Sequence, residues 1–137
     1  MDEQYRDLLL VALAVKEELN VIQLLVNANP RLLQHTYDYS SMLPLHAACE
    51  CKALFEVIKF LAETYPAAAT ATDSYGQTPL HYACLKQAPL NVIRLLTSLN
   101  PDAVKMVDSR GNTPLHDACC QSDLSREVVE FLVEQFA

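Results

Sequence analysis

The chain has 137 residues, of which 51% are hydrophobic and 20% charged, with a formal net charge of −7. That length holds one domain burying roughly two-thirds of its unfolded surface, and the composition excludes a disordered chain. The acidic balance without a Lys/Arg cluster excludes nucleic-acid binding by phosphate neutralisation, and the longest apolar run, Leu8 to Val15, is too short for a membrane helix and follows an acidic stretch unlike a secretory signal.

The first predicted elements form a degenerate helix pair over Met1 to about Asn29. Leu8 to Ala14 are continuously apolar, whereas Asn20-Val-Ile-Gln-Leu-Leu places apolar residues at i, i+1, i+3 and i+4, one face of a helix. Terminal units of repeat proteins are characteristically atypical. Pro30 then marks the exit from the second helix.

Three units of stronger pattern follow, starting near Asp38, Asp73 and Asp108. The stretch from Asp73 to Cys84 reads DSYGQTPLHYAC, and 35 residues downstream Asp108, Gly111, Thr113, Pro114, Leu115, His116, Ala118 and Cys119 repeat it. Upstream, Asp38, Pro44, Leu45, His46, Ala48 and Cys49 answer it, with Ser41 at the glycine position and Leu43 at the threonine. Gly76 and Gly111 stand where a tight turn needs positive φ, and the aspartate can hydrogen-bond turn backbone two residues on. Thr78-Pro79 and Thr113-Pro114 read as a helix N-cap followed by the first helical residue. A second helix recurs in Glu56-Val-Ile-Lys-Phe-Leu, Asn91-Val-Ile-Arg-Leu-Leu and Glu127-Val-Val-Glu-Phe-Leu, and Pro66 and Pro101 lead into extended or turning segments. Each unit is therefore turn, helix, loop, helix, return. A fixed period of this size marks a solenoid whose units bury their apolar faces only against neighbours. The expected fold is all-α, one helical-repeat domain over 1–137 with units of about 1–37, 38–72, 73–107 and 108–137.

TPLHYAC and TPLHDAC, each preceded by D-x-x-G-x and followed by an E/N-V-I/V-x-x-L helix, resemble ankyrin repeats over nearly the whole chain. The spacing is 35 to 36 residues rather than about 33. The loops Lys86-Gln87-Ala88-Pro89 and Gln121-Ser122-Asp123-Leu124 are longer than usual, and a Pro-x-Ala segment replaces the common Gly-Ala-Asp exit. The resemblance implies a non-enzymatic module that binds a partner protein on a concave surface of turn tips and first helices. Carried over by position, the exposed tips are Tyr39, Ser40, Ser74, Tyr75, Gln77, Ser109, Arg110 and Asn112. The first-helix positions are Ala47, Glu50, Tyr82, Leu85, Lys86, Asp117 and Gln121. Tyrosine and arginine dominate interface hot spots, which singles out Tyr39, Tyr75, Tyr82 and Arg110. An inhibitory or regulatory subunit of an enzyme would use the same surface.

Other chemistry finds less support. His46, His81 and His116 lie three residues before Cys49, Cys84 and Cys119, a row that would suit a thiol or metal sensor. One such pair supplies two ligands, however, and repeats packed about 10 Å apart cannot share a zinc bound at about 2.0 to 2.3 Å. The resemblance makes the histidine a brace for the turn, and no metal or other cofactor is expected. No phosphate loop or nucleophile elbow is present, and the adjacent Glu17 and Glu18 diverge around a helix, so no enzyme activity is expected. Five cysteines without disulfide-like spacing predict a reducing compartment, cytoplasm or nucleus, with Cys51 and Cys120 outside the repeated core position. Val128, Phe131, Leu132 and Phe136 form the apolar face of the last helix. That helix either caps a monomer or is cut from a longer array, in which case its exposed apolar side would drive association.

Overall fold

Proline suits the first turn of a helix, where its missing N–H would have had no partner, and three of the helices open on one. The structure, a computed structural model, describes residues 12–13, 19–34, 36, 41–120 and 125–136. Among these are seven α-helices: α1 (Leu19–Ala28), α2 (Pro44–Glu50), α3 (Phe55–Thr64), α4 (Pro79–Leu85), α5 (Leu90–Leu99), α6 (Pro114–Cys119) and α7 (Arg126–Phe136). The prolines open α2, α4 and α6, the expected first helices; α1, α3, α5 and α7 are the expected second ones. None of the seven is long and apolar enough to cross a membrane. Leu8 to Val11, Asp38 and the loop from Gln121 to Leu124 lie outside the described residues, as does the side chain of Phe136. Ala12 and Leu13 are helical and buried.

Helices α2, α4 and α6 stack in one row and α1, α3, α5 and α7 in a second, and each pair α2–α3, α4–α5 and α6–α7 packs across the two rows. Small residues let the first row close up: Ala48 and Ala83, at equivalent positions, are fully buried. Leu45 and Leu80 fill the layer between rows together with Ile58, Leu61, Ile93, Leu96 and Leu132. Each such side chain contributes on the order of 1.5–3 kcal/mol of apolar burial. The third repeat is more open. Cys49 and Cys84 are buried as expected, but Cys119 and His116 are exposed, because among the described residues no further repeat covers α6.

Two connections differ in detail from what the residue types foretell. The prolines after α1, α3 and α5 each open a short 3₁₀ helix, Pro30–Gln34, Pro66–Thr70 and Pro101–Lys105. Each tucks two apolar residues inward: Leu32 and Leu33, Ala68 and Ala69, Ala103 and Val104. The loop after the first helix is a tight helix end rather than a free excursion. Lys52 and Gln87 adopt φ of 59°, and the N–H groups of Ala53 and Ala88 reach back to the carbonyls of Ala48 and Ala83 at 2.9 and 2.8 Å. This is a Schellman ending, which satisfies the last helical carbonyls and normally recruits glycine.

Candidate partner-binding site

The turn tips are built by their aspartates. Asp73 Oδ1 accepts the N–H groups of Tyr75 and Gln77 at 2.9 and 3.0 Å; Asp108 Oδ1 does the same for Arg110 and Asn112 at 2.9 and 3.0 Å. Gly76 and Gly111 complete each turn at φ of 74° and 81°. Ser41, at the glycine position of the unit before, takes the same left-handed conformation at φ 57°. Adjacent tips are joined, since the Ser109 N–H donates to the Tyr75 carbonyl at 2.9 Å. Burial pushes the Asp108 carboxyl up, but the N–H groups of Asn112 and Arg110 and the Gln77 amide outweigh it and hold the group below the usual carboxylate range.

The histidines tie each helix start to the next tip. The backbone N–H of Leu43 donates to His46 Nδ1 and that of Thr78 to His81 Nδ1, both at 3.1 Å. A backbone N–H can only donate, so the proton sits on Nε2. From there His46 donates to the Gln77 carbonyl and His81 to the Asn112 carbonyl, each at 3.1 Å. Thr113 and His116 repeat the local half of this arrangement at 3.0 Å.

These supports lift Ser74, Tyr75, Ser109 and Arg110 into solvent, with Tyr75 56% exposed. Gln77 and Asn112 are half-buried, as are Leu85 and Lys86; Glu50 is exposed. Tyr39, Ser40 and Gln121 lie outside the described residues. Three of the first-helix positions, Ala47, Tyr82 and Asp117, are buried, at 7%, 6% and 4% exposed. The Tyr82 hydroxyl turns back to donate to Asp73 Oδ2 and its ring meets His46 edge-on at 5.8 Å, so the turn covers the side chain instead of leaving it free.

Between the two tips lies a cavity of about 290 Å³, lined by Tyr75, Gln77, Tyr82, Leu85, Asp108, Ser109, Arg110, Asn112 and Asp117. Asp117 Oδ2 is buried there without a hydrogen-bond partner. Burial raises the Asp117 carboxyl above its ordinary value, with Asp108 adding to the rise and His81, His116 and Arg110 opposing it. Residue-type reasoning treated Asp108 only as a turn former and missed its place in this wall. The substitution of Asp117 for Tyr82 at equivalent repeat positions was the available signal.

His81, Asp108 and Asp117 bring three potential ligand atoms within 4.8 Å of one another. Both His81 nitrogens are already engaged, one by the Thr78 N–H and one by the Asn112 carbonyl, so ligation of a cation through this ring would break the repeat's own bracing. Burial pushes the Cys49 and Cys84 thiols well up, and the Cys51 thiol donates to the Leu13 carbonyl at 3.1 Å.

A family model described as ankyrin repeats (3 copies) matches residues 8–106 and 72–137. No curated protein matches the chain. Ankyrin repeats are in general protein–protein interaction modules, and the family is typically non-enzymatic. With the family model spanning nearly its whole length, the chain belongs to the ankyrin repeat family.

Proposed function

We propose that the chain is a non-enzymatic protein-binding module that takes its partner on the strip of turn tips and first helices, with Tyr75 and Arg110 as the leading contacts. One observation carries this reading. Tyr75 and Arg110 are exposed on neighbouring tips whose backbones are fixed by aspartate hydrogen bonds and joined by the Ser109–Tyr75 bond. A large side chain held on pre-ordered backbone loses little entropy on binding, which is what hot-spot residues require. Tyr82 leaves the contact list because its hydroxyl is committed to Asp73. The free cysteines favour a reducing compartment, cytoplasm or nucleus.

Affinity capture from a cell lysate tests this, with the native chain beside a Tyr75→Ala, Arg110→Ala double variant of equal circular dichroism. Retention of a protein by the native chain and its loss by the variant is the expected result. Equal retention by both would move the binding surface elsewhere.

A further inference from the structure

The three first helices carry Ala47, Tyr82 and Asp117 at one equivalent position, directly after the histidine. In the second of them the Tyr82 hydroxyl closes onto the turn by donating to Asp73 Oδ2. In the third an aspartate stands where that tyrosine would be. It is shorter and, when ionised, has no proton to give. Asp108 Oδ2 is left with only a long approach from the Gln77 amide at 3.5 Å, and Asp117 Oδ2 is buried with no partner at all. A buried carboxylate oxygen without a donor is among the least favourable groups a fold can hold. Asp117 lines a cavity whose rim carries the exposed Tyr75, Ser109 and Arg110.

We propose that this cavity receives an arginine side chain of the partner protein, its guanidinium bridging Asp117 and Asp108 and its stem lying along Tyr75. This rests on the reading of the strip as the partner-binding surface, and names the chemistry that surface selects. A guanidinium presents several N–H donors in a planar fork, which suits two carboxylate oxygens held apart, and its flat face stacks on an aromatic ring. A metal ion fits less well, because the third ligand would have to be His81, whose nitrogens hold the helix start and the next turn. Arg110 does not fill the place itself: among the described residues no ion pair joins it to either carboxylate. A net charge of −7 favours a basic partner.

The test is a titration of the ¹⁵N-labelled chain with the capped tripeptide glycyl-arginyl-glycine amide, followed by amide resonances. Saturable shifts are expected for Tyr75 to Gln77 and Ser109 to Asn112. The same tripeptide carrying citrulline, which keeps the shape and loses the charge, should bind about tenfold more weakly or worse, as should the arginine peptide on an Asp117→Asn variant. Equal binding of the citrulline peptide to the native chain overturns the proposal without any variant needing to fold. Zinc chloride alone saturating the same amides while the arginine peptide leaves them unmoved overturns it in favour of a metal site. The two readings fail separately. Partner capture that survives loss of Tyr75 and Arg110, beside arginine binding in the cavity, sinks only the strip; capture lost in the double variant, beside indifference to arginine, sinks only the arginine.

Discussion

His81 Nε2 lies 3.1 Å from the Asn112 carbonyl in the following turn, and the same ring accepts the Thr78 N–H on its other side. One neutral imidazole thereby fixes the start of its own helix and the position of the next repeat. His46 and the Gln77 carbonyl form the preceding rung of this ladder. The histidine is a register device between units, because a slip of one repeat against the next would leave its Nε2–H and the Asn112 carbonyl unpaired while the local Thr78 bond survives.

Replacing His81 by alanine therefore leaves the Thr78 N–H and the Asn112 carbonyl without partners. Each buried orphan costs about 1–3 kcal/mol, so His81→Ala should destabilise the chain by roughly 2–5 kcal/mol in urea unfolding. His116→Ala removes the equivalent ring from an exposed site that has the local bond alone, and should cost about 1–2 kcal/mol. Equal losses for the two variants would show that the inter-repeat bond contributes nothing.

Stability should fall as pH drops below neutrality. Burial lowers the His46 pKa from 6.5, overcoming the opposing pull of the Gln77 carbonyl and the Asp73 charge. The unfolded chain takes its proton at 6.5 while the folded chain waits for a lower pH, so the unfolded state binds more protons in that window. This stability is complete above 6.5 and is lost as pH falls through the folded value. Asp108, also lowered, adds a loss of the same sign in the carboxylate range. Asp117 acts oppositely, since its raised value lets the folded chain take a proton first; Asp117→Asn should remove that partial compensation. Thermal midpoints between about pH 7.5 and 5 would measure the slope, and a His46 ring resonance titrating at or above about 6.5 would contradict it.

Much of this architecture is legible in the residue types, where a local physical reason exists. Asp-Ser-Xaa-Gly encodes a turn, Thr-Pro a helix start, and the E/N-V-I/V pattern a helix with one apolar face. What escapes is decided by neighbours in space. Tyr82 and Ala47 stand at one equivalent position and are both buried, and nothing in Leu-His-Tyr-Ala says that the tyrosine hydroxyl will find Asp73. Lys52 and Gln87 hide their left-handed conformation because neither is the glycine that announces it. The orphaned Asp117 oxygen is legible only by setting it beside Tyr82 in the aligned unit.

The two glycines are unequal in what surrounds them. A Cβ on Gly111 meets nothing within 4 Å, whereas one on Gly76 comes within 3.2 Å of the Ser109 nitrogen and 3.3 Å of the Asp108 Cα. Both positions have positive φ, so alanine at either incurs about 1 kcal/mol of backbone strain. Gly76→Ala must in addition push two tips apart along the Ser109–Tyr75 bond, where the neighbour is rigid backbone. It should cost about 2–4 kcal/mol against about 1 for Gly111→Ala, measured by chemical unfolding. Identical values would mean that the tips are not packed against each other.

The converse substitutions should stabilise. Ser41, Lys52 and Gln87 hold φ of 57°, 59° and 59°, where an L side chain crowds its own carbonyl and glycine does not. Each is exposed, so glycine removes no packing. Ser41→Gly restores the residue that the two later turns already use. Lys52→Gly and Gln87→Gly supply the preferred residue of a Schellman ending whose hydrogen bonds are already made. Glycine also gives the unfolded chain more freedom, which takes back part of the gain. A net stabilisation of about 0.3–1 kcal/mol for each is expected; Lys52 and Gln87 line one surface pocket, so a double variant measures their coupling. A loss of stability at Lys52 or Gln87 would mean that the side chain holds the helix end by a contact stronger than the strain it carries.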